Sequence, residues 1–246
     1  MIFEQYYKSI NDCLSKIMDT QKEDILKAAH IVTDSIKDGG SLYVFGATHA
    51  GIITEELIYR AGGLMLVNPI FAPDLVTNVR PISNTTKVEN LSGYAKIIIE
   101  GSNLSEKDVL LIHSVSGRNI VPIEAAMECK KIGAKLIVLT NLSFSQKVKS
   151  RHPSGKRLFE IDPDVVLDNC GVPGDASVEI KGVKQKVGST SSIAGCFIAN
   201  SIIIEVVGNL VNSGITPPVF TSANLDKGNE MNKRMLEEYK DRIKYL

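Results

Sequence analysis

A doubly wound α/β fold is what this 246-residue sequence predicts: a five-stranded, mainly parallel sheet flanked by helices, with extra helices at both ends. Three observations predict it. Short apolar runs at 42–45, 64–67, 109–112, 136–140 and 165–167 are strand-sized. Helical spacing fills most of the intervals, so the strands are joined by crossovers and paired in parallel. Two of the runs stop at a polar, glycine-containing turn after which a helical pattern resumes at once. Such junctions gather ligands at the carboxyl ends of the strands. No repeat or linker interrupts the pattern, so 1–246 reads as one domain, with N-terminal helices over 1–40, an α/β core over 41–215 and a C-terminal extension over 216–246.

In chain order, 3–18 places Phe3, Tyr6, Tyr7, Ile10, Leu14 and Ile17 on one side of a helix. Thr20 and Glu23 have capping-box spacing and open a second helix, which Gly39-Gly40 closes. The strand at 42–45 leads through the turn 46–51 into a helix reaching roughly residue 60, and a second strand follows at 64–67. Residues 68–92, rich in Pro, Asn, Ser and Thr, read as loop, and 94–100 as a short helix. The strand 109–112, the turn 114–117 and a helix carrying Ile120, Ile123, Ala126, Met127 and Cys129 form one unit. Strands at 136–140 and 165–167 bracket an exposed segment, 141–157. A turn-rich loop covers 169–174, a long helix follows Ser189-Thr190-Ser191, and a polar helix extends from Asn224 onward.

Lys plus Arg and Asp plus Glu number 28 each, so the overall charge gives no hint of a nucleic-acid partner and any anion must be recognised locally. Cys13, Cys129, Cys170 and Cys196 are widely spaced, with no CxxC or Cys/His cluster. This points to a reduced, cytoplasmic protein, with no metal and no cofactor expected. The start, MIFEQYYKSIND, lacks the basic residues and apolar run of a signal peptide. The longest apolar stretch, 193–211, carries Glu205. A carboxylate there is costly in lipid, so the stretch reads as a core helix and no membrane partner is expected.

The chemistry lies in Ser114-Val115-Ser116-Gly117 and the following Arg118-Asn119. A helix start leaves backbone N–H groups unpaired, and its dipole favours negative charge. Ser and Asn also cap helices that bind nothing, but these residues supply more donors than one cap uses. A phosphate fits. The first turn, 46–51, lacks the GK[ST] ending of a P-loop and the GxGxxG spacing of a dinucleotide fold, and Asn68-Pro69 stands where the latter needs an acid. Neither serine of 114–117 follows a glycine by two positions, which removes the GxSxG hydrolases. A phosphorylated sugar is the ligand that survives.

The Ser-x-Ser-Gly turn after a strand, with Ser189-Thr190-Ser191 opening a late buried helix, resembles the sugar isomerase (SIS) domain family, whose members bind phosphosugars. The stretches HSVSGRNIVPIEAA, RHPSGKRLFEI and DNCGVPGDA extend the resemblance over nearly the whole chain, to a bacterial subfamily of single-domain SIS proteins related to phosphoheptose isomerases. The resemblance implies a SIS fold, a homodimer or homotetramer, and phosphosugar contacts from Ser114, Ser116, Gly117, Arg118, Asn119, Ser189, Thr190, Ser191 and Thr48. Glu55-Glu56-Leu57 is similar to the Glu-Glu-Leu of the heptose enzymes, which makes Glu56 the catalytic base. Two departures stand out. The first turn has no serine, leaving Thr48 or His49 for that contact, and residues 189–211 hold no histidine where the heptose enzymes carry one. His49 and His152 are then the acid–base candidates, His152 reaching a site in a neighbouring chain, while His113 hydrogen-bonds the turn.

The resemblance thus implies an aldose–ketose sugar-phosphate isomerase working through an enediolate. Two other readings stay open. One is a non-catalytic phosphosugar binder or sensor; the other is a lyase, deaminase or etherase acting on amino- or N-acetyl sugar phosphates.

Overall fold

The computed structural model describes residues 1–246. Helices α1 (Ile2–Thr20) and α2 (Lys22–Lys37) precede strand β1 (Leu42–Gly46), helix α3 (Ile52–Leu57) and strand β2 (Val67–Pro69). Helices α4 (Asn84–Val88) and α5 (Tyr94–Gly101) cross over to β3 (Val109–His113), which is followed by α6 (Ile120–Ile132) and β4 (Lys135–Thr140). After α7 (Leu142–Ser145) come β5 (Val165–Asp168) and a hairpin of β6 (Ala176–Val178) and β7 (Val187–Ser189). Helices α8 (Ser191–Asn212) and α9 (Gly228–Glu238) complete the chain.

The sheet has the order β2-β1-β3-β4-β5, and every neighbouring pair is parallel. This is the doubly wound, five-stranded sheet that the sequence predicts. Its direction of winding reverses between β1 and β3, where sheets of this class open a crevice for ligands. Side chains alternate between two cores. Leu42, Val44, Val109, Leu111, Ile137 and Leu139 face the layer built from α1, α2, α3 and α8. Tyr43, Phe45, Leu110, Ile112, Leu136 and Val138 face α5 and α6. Burial on both faces is why the strands read as unbroken apolar runs.

Helix α8 is long and apolar enough to cross a membrane by length and composition alone. Here Ala194, Ile198, Ile202, Val206 and Leu210 pack into the first core, and Glu205 faces outward. Below the sheet, residues 242–245 return to its amino edge. Ser41 Oγ and Asn68 Nδ2 donate to the Arg242 carbonyl at 3.2 and 2.9 Å, and Lys244 N donates to Asn68 Oδ1 at 2.8 Å. The Arg242 guanidinium donates to the Ile36 carbonyl at 3.0 Å and to that of Gly40.

Several boundaries differ from the sequence reading, each for a local reason. The run 64–67 is only partly strand, because Leu64 forms an isolated antiparallel bridge with Val219 and Met65 N donates to Pro218 O at 2.8 Å. Helix α3 stops at Leu57 rather than near residue 60, since Ile58 is extended and Tyr59 is left-handed at φ +44°. Thr20 does not cap α2. It is the last residue of α1 and its hydroxyl donates back to Lys16 O at 2.8 Å. The segment 141–157 is not wholly exposed, as Asn141 and Ser145 are buried. The β6–β7 hairpin has no counterpart in the sequence reading, and the last helix starts at Gly228.

Candidate functional site

Between β3 and α6, the chain crosses the carboxyl edge of the sheet. Most of its carbonyls are tied down from outside. Thr140 Oγ1 donates to the Ser114 and Val115 carbonyls at 2.7 and 3.1 Å, Asn141 N to Val115 O at 3.0 Å, and Leu158 N to Gly117 O at 2.8 Å. Gly117 has φ +58°, and a Cβ there would stand 2.8 Å from Ser145 Oγ. Glycine is needed both for the backbone angle and for the space. By contrast, no backbone N–H of residues 115–119 donates within the chain, and the Ser114 and Ser116 hydroxyls have no protein partner. Arg118 Nε is buried without a partner. Most acceptors are consumed while donors stay free, which is the arrangement an oxyanion needs.

The neighbouring turn after β1 is a short 3-10 segment, Thr48–Gly51. Thr48 sits at φ +57°, a strained angle for a β-branched residue. His49 is exposed, and neither side chain is engaged by the protein. His113 ties the two turns together. Its Nδ1 lies 3.0 Å from the Ala50 carbonyl, so Nδ1 carries the proton and Nε2 is a bare acceptor, buried without a partner. Burial pushes its pKa down to about 4. Gly195 of α8 closes over the ring, where a Cβ would come within 3.2 Å of Cε1. The imidazole is a neutral strut between the first turn, β3 and α8.

Ser189 ends β7 and is exposed, Thr190 is the N-cap of α8, and Ser191 is its first residue. Their donors converge on one carboxylate. Asp175 Oδ1 accepts from Thr190 N at 2.9 Å, Ser191 N at 2.8 Å and Thr190 Oγ1 at 3.2 Å, while Oδ2 accepts from Ser191 Oγ at 2.7 Å. Asp175 is itself left-handed at φ +69°. An anion belonging to the chain thus occupies this helix start.

Glu56, on α3, forms an ion pair with Arg60 just beyond the helix end and accepts from Asn200 Nδ2 of α8 at 3.1 Å. Its side chain is 31% exposed. The adjacent Cys196 thiol is raised by burial and by Glu56, with Arg60 pulling it back. His152 is elsewhere. Its Nε2 lies 3.9 Å from Glu124 Oε1 on α6, and its Nδ1 lies 2.8 Å from Ser154 Oγ. Glu56 belongs to the α3/α8 layer and His152 to the α6 layer, so one chain does not bring them together.

Four polar partners were not singled out from the sequence: Asp175, Asn200, Glu89 and Arg151. Arg151 N donates to Arg118 O at 2.8 Å, and its Nη1 donates to Asn119 Oδ1 at 2.7 Å. Glu89 is half-buried, and burial raises its carboxyl above the usual range, with a hydrogen bond from Asn119 and the charge of Arg151 opposing. Its carbonyl accepts from Val121 N at 3.0 Å, at the start of α6. A protonatable carboxylate, an amide and a guanidinium therefore border the loop. Glu89 lies in a segment without periodicity and Arg151 in a basic run that reads as plain surface, so neither carried a signal.

A family model described as the SIS domain matches residues 5–141. A UPF0309 protein of Shouchella clausii is 51% identical over 243 residues, covering 99% of this chain and 98% of its own. A phosphoheptose isomerase from Francisella tularensis superposes with a TM-score of 0.53 at 16% identity, over 83% of this chain and 95% of its own. The Vibrio vulnificus NanR protein, complexed with ManNAc-6P, superposes with a TM-score of 0.52 at 13% identity, over 98% of this chain and 69% of its own. At those identities the two structures speak for the fold.

Proposed function

The chain belongs to the SIS domain family, and from that premise we propose that it binds a phosphorylated sugar and interconverts its aldose and ketose forms. The observation that carries the reading is the loop 114–119, in which the carbonyls of Ser114, Val115, Gly117 and Arg118 are tied while the N–H groups of residues 115–119 and two hydroxyls are free. Ser114, Ser116 and the backbone of Gly117 hold the phosphate, flanked by Arg118 and Asn119. Thr48 and His49 face the sugar from the first turn. Thr190 and Ser191 act through Asp175, whose carboxylate they orient, with Ser189 beside them.

Fixing the dianion at one end orients the reacting carbons at the other. Glu56 then carries a proton between C1 and C2 through an enediolate, held in place by Asn200. His49 serves the sugar oxygens, and His152 does so from a second copy of the chain. A homodimer or homotetramer is supported by the outward stripe of α8, where Ile193, Ile204 and Val211 lie on one face and are exposed.

One observation favours a second reading. Glu89 holds a raised carboxyl beside the loop. An acid so placed suits a lyase, deaminase or etherase step on an amino- or N-acetyl sugar phosphate, in which a leaving group needs a proton.

A panel of sugar phosphates, screened by thermal shift and then by product analysis in deuterated water, tests both. Ser116→Ala should weaken phosphosugar binding by about tenfold, the loss of one charge-assisted hydrogen bond. Glu56→Gln should bind normally and incorporate no deuterium at C2. Undiminished exchange in that variant would overturn the role of Glu56. Tight binding by the wild-type protein without turnover would favour a sensor.

A further inference from the structure

Next to the Glu56–Arg60 ion pair lies a cavity of about 410 Å³, between residues 59–61, residues 220–223, α9 and the residues after it. Arg60, Lys233 and Lys240 bring three positive charges to its wall, against the carboxylates of Glu237 and of the Leu246 main chain. The Glu237 carboxylate is already paired with Lys240 at 2.6 Å, and Lys233 has no ionic partner. The wall is fixed. Asn232 exchanges two 2.8 Å hydrogen bonds with the Thr221 backbone, and the ring of Tyr59 meets that of Phe220 edge-on at 5.2 Å. Arg60 belongs to two environments at once. It lines this cavity and it neutralises Glu56.

We infer that this cavity binds a small oxyanion of the phosphate class, and that the bound anion draws Arg60 away from Glu56 and so controls the free carboxylate. The excess positive charge in a concave wall selects an anion. A guanidinium prefers a bidentate oxyanion to a single carboxylate oxygen. The Arg60 side chain is 48% exposed, which leaves it room to turn. Asn200 keeps its own hydrogen bond to Glu56, so the carboxylate loses its counter-charge without losing its position. The regulatory meaning rests on the role proposed for Glu56; the binding site does not.

Cys196 reports the movement. Its thiol senses Glu56 and Arg60 with opposite sign, and it is the one cysteine that is not buried. Inorganic phosphate, added to the full chain at constant ionic strength, should slow iodoacetamide alkylation of Cys196 by about threefold, because the thiolate loses its cation. The slowing should persist in Ser116→Ala and vanish in the double variant Lys233→Gln/Lys240→Gln, together with the calorimetric heat of that site. No slowing in the wild-type chain, or full slowing in the double variant, overturns the inference. Loss of the effect in Ser116→Ala overturns it too, by assigning the phosphate to the 114–119 loop. Failure of sugar phosphates to bind that loop would leave this readout untouched.

Discussion

A buried imidazole with one hydrogen bond makes the pH dependence of this fold readable at a single residue. His113 has a folded pKa of about 4, below the roughly 6.5 of an unfolded chain. As pH falls, the unfolded state binds the proton first, so stability that is complete above pH 6.5 is lost between there and pH 4. From His113 alone, the loss between pH 7 and pH 5 should be about 2 kcal/mol. His113→Asn keeps a donor for the Ala50 carbonyl and removes the titration. Urea unfolding at both pH values should show a smaller acid penalty in the variant, and equal penalties would rule the account out. Glu89 works in the opposite direction, since a raised carboxyl gains stability as pH falls through its folded pKa, but it is common to both chains and cancels. Residue by residue, the sequence announced donors better than acceptors. Ser114 and Ser116 stand in a recognisable turn. The acceptors Asp175 and Glu89 meet their partners only through folding, as Asp175 does 16 residues from Ser191.

Helix α8 shows what an element's end requires. Four donors at its start close on Asp175 rather than on a side chain of its own first turn. Asp175→Ala should leave them unpaired and cost about 1–2 kcal/mol, measured by urea denaturation. It should also turn the helix start into an open anion site, so added sulfate should recover part of that loss in the variant and not in the wild-type chain. Sulfate that stabilises both equally would mean Asp175 does not occupy an anion position. Element boundaries were legible where one force acted and obscure where two competed. The strand at 109–112 has only burial to satisfy. Leu64 and Met65 are just as apolar, yet their backbone is claimed by residues 218–219. Thr20 has the right spacing to cap α2, but α1 keeps it as its last residue.

At the scale of the molecule, alternation across one parallel sheet explains both cores, and apolar runs between helical segments were enough to foresee it. What those runs could not say is which helices share a face, because α1, α2 and α8 come to one layer from opposite ends of the chain. The same layering leaves Ile204 and Val211 of α8 at 68% and 57% exposure, and Phe3 and Tyr7 of α1 at 64% and 67%. Sedimentation at micromolar concentration should therefore find a dimer or tetramer, and Ile204→Asp should shift it toward monomer without unfolding it. A wild-type monomer would remove the second copy from the proposed site. The return of residues 242–245 to the sheet also sets a timetable for synthesis. Ser41 and the Arg242 carbonyl that it meets are 201 residues apart. At 5–20 residues per second, β1 waits roughly 10–40 seconds on the ribosome for its lower edge to be sealed. Throughout that interval the unsealed edge, rather than the finished protein, is what chaperones encounter.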